Sequence, residues 1–191
     1  MGNSDATKQR ILEAATEEFA ERGIAGARID RIARAAQANK AQLYAYFGNK
    51  EQLFSAVLAE RLRAIVDAVP IDGRDLPGYA VRLYDDYLAH PLVVKLAVWT
   101  RLERAPFGGL GPEIGTLDQP KFAAIAAAQA EGLVDSSIPP SDLFSMVIAL
   151  SLTWSPVSTT IAASPDDDDA EHEHRRRLIR TAVRRLVTPD A

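Results

Sequence analysis

Residues 28–50, RIDRIARAAQANKAQLYAYFGNK, decide the fold. Ile29, Ile32 and Ala33 recur at helical spacing, and Ala36 closes that short apolar face. Gln37 and Ala38 interrupt the pattern. Asn39 then opens a second short helix that turns Leu43 and Phe47 inward. Asn39 and Gln42 have the spacing of a capping box, in which each side chain meets the other residue's backbone amide. Asn49 and Gln52 repeat that spacing at the next helix. Two short helices joined by a tight turn form a helix-turn-helix, whose second helix can enter the major groove of DNA. Between residues 22 and 50, Arg22, Arg28, Arg31, Arg34, Lys40 and Lys50 stand against a single acid, Asp30.

A helix whose start is pinned has a fixed entry angle, and that angle decides which side chains reach base edges. Lys40, Ala41 and Gln42 occupy the first turn. Lys40 can bind a guanine edge or a phosphate, and Gln42 carries the donor and acceptor pair that suits adenine. The short Ala41 lets the backbone come close and can touch a thymine methyl. Tyr44, Tyr46 and Lys50 suit phosphate oxygens, which fix orientation without reading sequence. The plainer reading is a solvated basic face on a small bundle. Tyr44 and Phe47 are open to either role, groove or core.

From Thr7 to Phe54 the chain resembles the DNA-binding domain of TetR-type repressors. The matching segments read KQRILEAATEEFAERG, then IDRIARAA, then NKAQLYAYFGNKEQLF, with Leu43-Tyr44-x-Tyr46-Phe47-x-x-Lys50 the most specific run. The resemblance implies an all-α protein. A three-helix helix-turn-helix DNA-binding domain at 6–52 precedes a larger helical ligand-binding and dimerisation domain at 53–191. It also implies a homodimer on a (pseudo)palindromic double-stranded DNA operator, released by a small-molecule effector. Two departures bear on the phosphate contacts. Gln37 stands where the family usually has Gly, and Gln accepts a left-handed conformation less readily. Ala27 and Arg28 stand where the family often has Ser or Thr. Arg28 cannot cap as a hydroxyl would, but it can bind phosphate directly. The DNA-facing set is therefore Arg28, Asn39, Lys40, Ala41, Gln42, Tyr44, Tyr46 and Lys50.

The chain has 191 residues, 47% apolar and 25% charged, ordinary for a soluble globular protein. It has no cysteine, which excludes disulfides, thiol catalysis and cysteine-ligated zinc. No apolar run approaches a bilayer span, and MGNSDATKQR lacks the apolar core of a signal peptide, so a cytoplasmic protein without membrane partners is expected. The net charge of −4 argues against a protein coated in positive charge. It allows a local basic head on an acidic body, because charges are screened beyond roughly 8 Å.

Taken in order, residues 1–5 read as a loose tail and Ala6–Arg22 as a helix with Ile11, Leu12, Ala15 and Phe19 inward. Gly23 is its natural stop. Glu13, Glu17, Glu18 and Glu21 are expected to face away from DNA. A long helix runs from Asn49 to Val69, where Pro70 ends it, and links the two halves. Residues 71–78 read as a loop, Tyr79–Ala89 as a helix, and Pro91 as the first turn of the next. Gly108, Gly109 and Gly111 mark a flexible connector. Asp118 opens a helix that Gly132 ends. Leu143–Trp154 is apolar on nearly all sides, so burial from several directions is expected. Ser164 and Pro165 read as the cap and first turn of a last helix. Its apolar stripe is Leu178, Ile179, Ala182, Val183 and Leu186. The last two helices, doubled by a second copy, would make a four-helix dimer interface.

Tyr84, Trp99, Phe122 and Phe144 are the candidate ligand-binding residues, although any single aromatic is more often core than pocket lining. Asp85, Asp86, His90 and Glu103 lack a nucleophile or phosphate loop, so no catalytic residue and no enzyme is expected. His172 and His174, two apart on a helix, do not share a face, so no metal site is expected, nor any cofactor. The competing class is a helical protein-interaction module without sequence-specific DNA binding, in which neutralising Lys40 and Gln42 would change nothing.

Overall fold

Gly23, at φ 71° and ψ −178°, breaks the first helix of the computed structural model, α1 (Asn3–Gly26). The structure describes residues 3–189. α1 starts before the expected Ala6, so residues 3–5 are helical rather than a tail, with Asp5 in the first turn where the helix dipole favours an acid. Met1 and Gly2, the rest of that expected tail, lie outside the described residues. α2 (Ile29–Ala35), α3 (Lys40–Phe47) and α4 (Lys50–Ala68) follow in the expected order.

Then come α5 (Leu76–Ala89), α6 (Pro91–Glu103), α7 (Pro112–Ala130), α8 (Pro140–Ser151) and α9 (Asp169–Val187). Three starts differ from expectation. α5 begins at Leu76, inside the expected loop, because the Asp75 carboxylate accepts the Gly78 amide at 2.9 Å and Pro77 suits a first turn. α7 begins at Pro112 rather than Asp118 and runs through Gly115 and Pro120. Such residues weaken a helix without forbidding one whose inner face, here Ile125 and Ala128, is buried. α9 begins at Asp169 rather than Ser164. Ser164 instead closes a tight turn, its amide donating to Asp167 Oδ2 at 3.0 Å, and Arg175 holds that same carboxylate. The acids Asp169 and Glu171 at the start of α9, and Arg184 and Arg185 at its end, follow the dipole.

The chain divides into two compact units. One comprises the residues up to Arg63 together with Leu92–Pro112, and the other Ala64–Pro91 with the residues from Glu113 onward. The first unit buries Ile11, Ala15, Phe19, Ile32, Leu43, Leu53, Phe54, Val57 and Leu96 completely or nearly so. Phe19 and Phe54 meet edge to face, with ring centroids 5.1 Å apart. In the second unit α5 packs on α8 and α9 around Leu76, Tyr79, Leu83, Ile125, Leu143, Val147, Ile179 and Val183.

Two apolar faces are less covered than their sequences suggest. α8 buries Leu143, Phe144 and Val147, while Met146 on its other side stays 46% exposed. On α9, Ile179 and Val183 are buried but Leu178 is 45% exposed. Among the described residues no helix is long and apolar enough to cross a membrane.

Candidate nucleic-acid interface

The helix-turn-helix is built on backbone bonds that close each helix end. Ala36 N donates to Ile32 O at 2.9 Å, and Ala38 N to Ala33 O at 2.9 Å. Between them Gln37 takes φ 51°, the only non-glycine residue with positive φ among those described. The turn thus keeps the left-handed residue that glycine would supply, and Gln carries the steric cost. Asn39 has extended backbone angles and caps α3. Its Oδ1 accepts the Gln42 amide at 2.8 Å, and Gln42 Oε1 accepts the Asn39 amide at 3.0 Å. At the next helix only half of that arrangement forms, Gln52 N donating to Asn49 Oδ1 at 2.8 Å.

The candidate DNA-facing residues separate by what already holds them. Ala41 and Gln42 are exposed on the first turn of α3, and among the described residues the cap engages the Gln42 side chain through Oε1, leaving its amide nitrogen to point outward from the bond. Tyr44 is 47% exposed while Leu43 and Phe47 are buried, which resolves the Tyr44/Phe47 ambiguity into one outward and one inward ring. Arg28 is exposed at the start of α2 and, as anticipated, makes no side-chain cap. Lys40 pairs with Asp30 at 2.5 Å, both well exposed. That hydrogen bond, with the carboxylate charge, holds the ammonium above its ordinary pKa. Asn39 spends its carbonyl oxygen on the cap.

Tyr46 is half-buried, its hydroxyl 3.2 Å from Ser4 Oγ. Lys50 is half-buried as well. Its ammonium donates to Ala25 O and Ala27 O, both at 3.3 Å, capping the carbonyls freed where α1 ends. Lys50 therefore ties the start of α4 to the end of α1 and the linker that follows it, besides carrying a charge.

Several residues that build this site are silent in the sequence pattern. Against expectation, Glu18 turns inward. It accepts the Arg28 amide at 2.9 Å and the Arg31 Nε at 2.7 Å, and its side chain is only 10% exposed. Burial by itself would raise the Glu18 carboxyl. The Arg31 hydrogen bond, the Arg28 amide and the charges of Arg31 and Arg22 outweigh it, leaving the group below its usual range. Glu18 thus satisfies the Arg28 amide at the start of α2, and removes Arg31 from the free positive charge. Arg10 donates from α1 to Ala36 O at 3.1 Å. From α6, Trp99 Nε1 donates to Ala20 O at 3.2 Å and Glu103 accepts the Ala25 amide at 2.8 Å, satisfying groups orphaned by the break at Gly23. Only the Gly23 stop hints at these partners, because their reach across tens of residues follows no local spacing.

The candidate ligand-binding aromatics are divided between the units. Phe122 and Phe144 meet edge to face at 5.7 Å, and Tyr84 lies in the same buried cluster of the second unit, its ring 6.3 Å from that of Trp154. Trp99 belongs to the first unit, where its indole is bound to α1.

Comparison with known proteins agrees with this geometry. Residues 11–57 match the model for bacterial regulatory proteins of the tetR family, and residues 75–185 match that for the tetracyclin repressor-like C-terminal domain. The chain is 38% identical to the HTH-type transcriptional repressor SCO4008 of Streptomyces coelicolor, over 96% of each protein. It is 29% identical to the HTH-type transcriptional repressor NicS of Pseudomonas putida, over 77% of this chain and 74% of that one. The crystal structure of the regulator SCO4942 from Streptomyces coelicolor superposes with a TM-score of 0.77 at 35% identity, covering 95% of this chain and 98% of that one. An exposed, doubly capped second helix on an N-terminal three-helix unit, followed by a matching helical C-terminal domain, leaves one assignment: this chain belongs to the TetR family of DNA-binding transcriptional regulators, which are not enzymes.

Proposed function

We propose that this protein is a ligand-responsive repressor that binds a (pseudo)palindromic operator as a homodimer and is released by a small molecule. Residues 6–52 read the DNA, and residues 53–191 hold the effector and the second copy. The observation that carries this reading is α3. Its reciprocal cap fixes the helix start, while Ala41, the Gln42 amide nitrogen and Tyr44 stand exposed beside it. Gln42 then reads a base, Ala41 allows close approach, and Arg28, Lys40, Tyr44, Tyr46 and Lys50 engage phosphates. Asn39 contributes by setting the angle.

Repression is supported by relatives whose names say repressor, SCO4008 and NicS among them, and the cytoplasm is the place such a protein meets its DNA. Exposed Met146 on α8 and Leu178 on α9 support a helical interface with a second copy. A two-fold dimer delivers two α3 helices to successive major grooves, about 34 Å apart. An effector favours a conformation with another spacing, and shifts the balance only by its differential affinity for the two states.

Footprinting the DNA beside the protein's own coding sequence tests the reading, together with the mass in solution at micromolar concentration. A symmetric protected site and a dimeric mass are expected. Absence of any protected sequence, or a monomer that stays monomeric on DNA, overturns it.

A further inference from the structure

The second unit contains a polar cluster that its own fold does not satisfy. Tyr84 on α5 and His172 and Arg175 on α9 are 2%, 5% and 6% exposed. The Tyr84 hydroxyl lies 2.8 Å from His172 Nδ1. Trp154 borders the group, its ring 6.3 Å from that of Tyr84 and 6.0 Å from the Arg175 guanidinium carbon. Yet His172 Nε2 and Arg175 Nε are both buried without a hydrogen-bond partner. Such atoms normally have one, and two orphans three residues apart on one helix face are close enough to share it.

The chemistry of a shared partner can be narrowed. The Asp167 hydrogen bond holds the Arg175 guanidinium above its ordinary pKa, and the Tyr84 hydroxyl contributes in the same direction. A guanidinium only donates, so the orphaned Arg175 Nε calls for an acceptor. Where Tyr84 turns its proton toward His172 Nδ1, His172 carries its hydrogen on Nε2, and that atom calls for an acceptor as well. The fixed positive charge and donor hydrogen of Arg175 exclude a cation. Asp167 and Glu171 already set two negative charges against the one positive charge on Arg175, which disfavours an anion. A neutral acceptor oxygen, with two lone pairs, fits both.

We propose that His172 Nε2 and Arg175 Nε form the polar end of an effector site for a neutral, mainly apolar molecule carrying a carbonyl oxygen, with its apolar part against Trp154. The proposal rests on the ligand-responsive reading above and gives the effector its chemical class.

The full-length protein has two tryptophans, Trp99 and Trp154, so its two indole N–H signals in a 15N-labelled sample report the two units separately. Trp99→Phe assigns them. Acetophenone, benzoate and ethylbenzene present the same ring with a neutral carbonyl, a carboxylate and no acceptor. Acetophenone should move the Trp154 signal saturably, with benzoate and ethylbenzene binding at least tenfold more weakly. His172→Phe should weaken acetophenone at least tenfold. The probe series on the unaltered protein decides the matter even if that variant fails to fold. Benzoate binding as well as acetophenone overturns the proposal. So does an unmoved Trp154 signal, or a crystal soaked in acetophenone that keeps only a water between His172 and Arg175. Operator affinity, measured with and without acetophenone, separates the two levels. Carbonyl-selective binding that leaves operator affinity unchanged overturns the effector role. Failure to bind any operator while the carbonyl selectivity holds overturns the DNA reading and leaves the site standing.

Discussion

Asn39 and Gln42 cap one another: Oδ1 of the first accepts the amide of the second at 2.8 Å, and Oε1 of the second accepts the amide of the first at 3.0 Å. The pair fixes the start of the helix on which the proposed base reading depends. Asn39→Ala should cost about 1 kcal/mol of stability, the usual loss on deleting a cap. It should weaken operator binding by more than stability alone explains, because the entry angle loosens. Asn39→Ser should restore stability. Urea unfolding and fluorescence anisotropy on the footprinted site measure the two effects.

Gln42→Ala and Lys50→Ala should fail differently. The first should relax base preference at one position of each half-site. The second should weaken all sequences alike and reduce the slope of log affinity against log salt by about 0.9 for each phosphate that the lysine had neutralised. Lys50→Ala should also lower stability, since the Ala25 and Ala27 carbonyls lose their donor. A uniform loss across sequences for Gln42→Ala would show that the base reader lies elsewhere.

Gln37 holds φ 51°, a left-handed angle that costs an L-residue. Gln37→Gly should stabilise the protein by roughly 0.5–1 kcal/mol, the relief of a left-handed L-residue less the added freedom of the unfolded chain. Gln37→Ala should be close to neutral. The urea midpoints of the three proteins give the comparison.

Gly23→Ala should destabilise by about 2–3 kcal/mol, combining left-handed strain with overpacking. A methyl group there would overlap the Glu103 carboxylate and the Trp99 ring. Thermal unfolding provides the check, and a variant as stable as the parent would mean that α6 yields easily at this point.

Glu18 links stability to acid. Its carboxyl sits lower in the folded protein than its ordinary 4.5, so the unfolded chain binds the proton more tightly. The contribution is present above about pH 4.5 and disappears as pH falls through the lower, folded value. Glu18→Gln should therefore be less stable than the parent at pH 7, with the difference shrinking below about pH 4. Urea unfolding across the acid range up to neutrality measures it. A constant difference across that range would assign Glu18 a packing role alone.

Local chemistry was enough to specify the capped helix α3. Asn39 and Gln42 three apart, Gly23 at a helix end, and Leu43 and Phe47 at one helical spacing all act within a turn or two of chain, where spacing dictates geometry. The helix starts at Leu76, Pro112 and Asp169 depart from expectation because Asp75, Ile125 and Asp167 act through a cap, a buried face and an ion pair whose balance local composition does not express. Only the tertiary structure turned Glu18 inward against the start of α2, set Trp99 against α1 rather than beside Phe122, and left a nitrogen of His172 and of Arg175 buried and unpaired. These outcomes hang on residues ten or more positions apart meeting in space. Hydrophobic periodicity says which face turns inward, but not which distant group will meet it there.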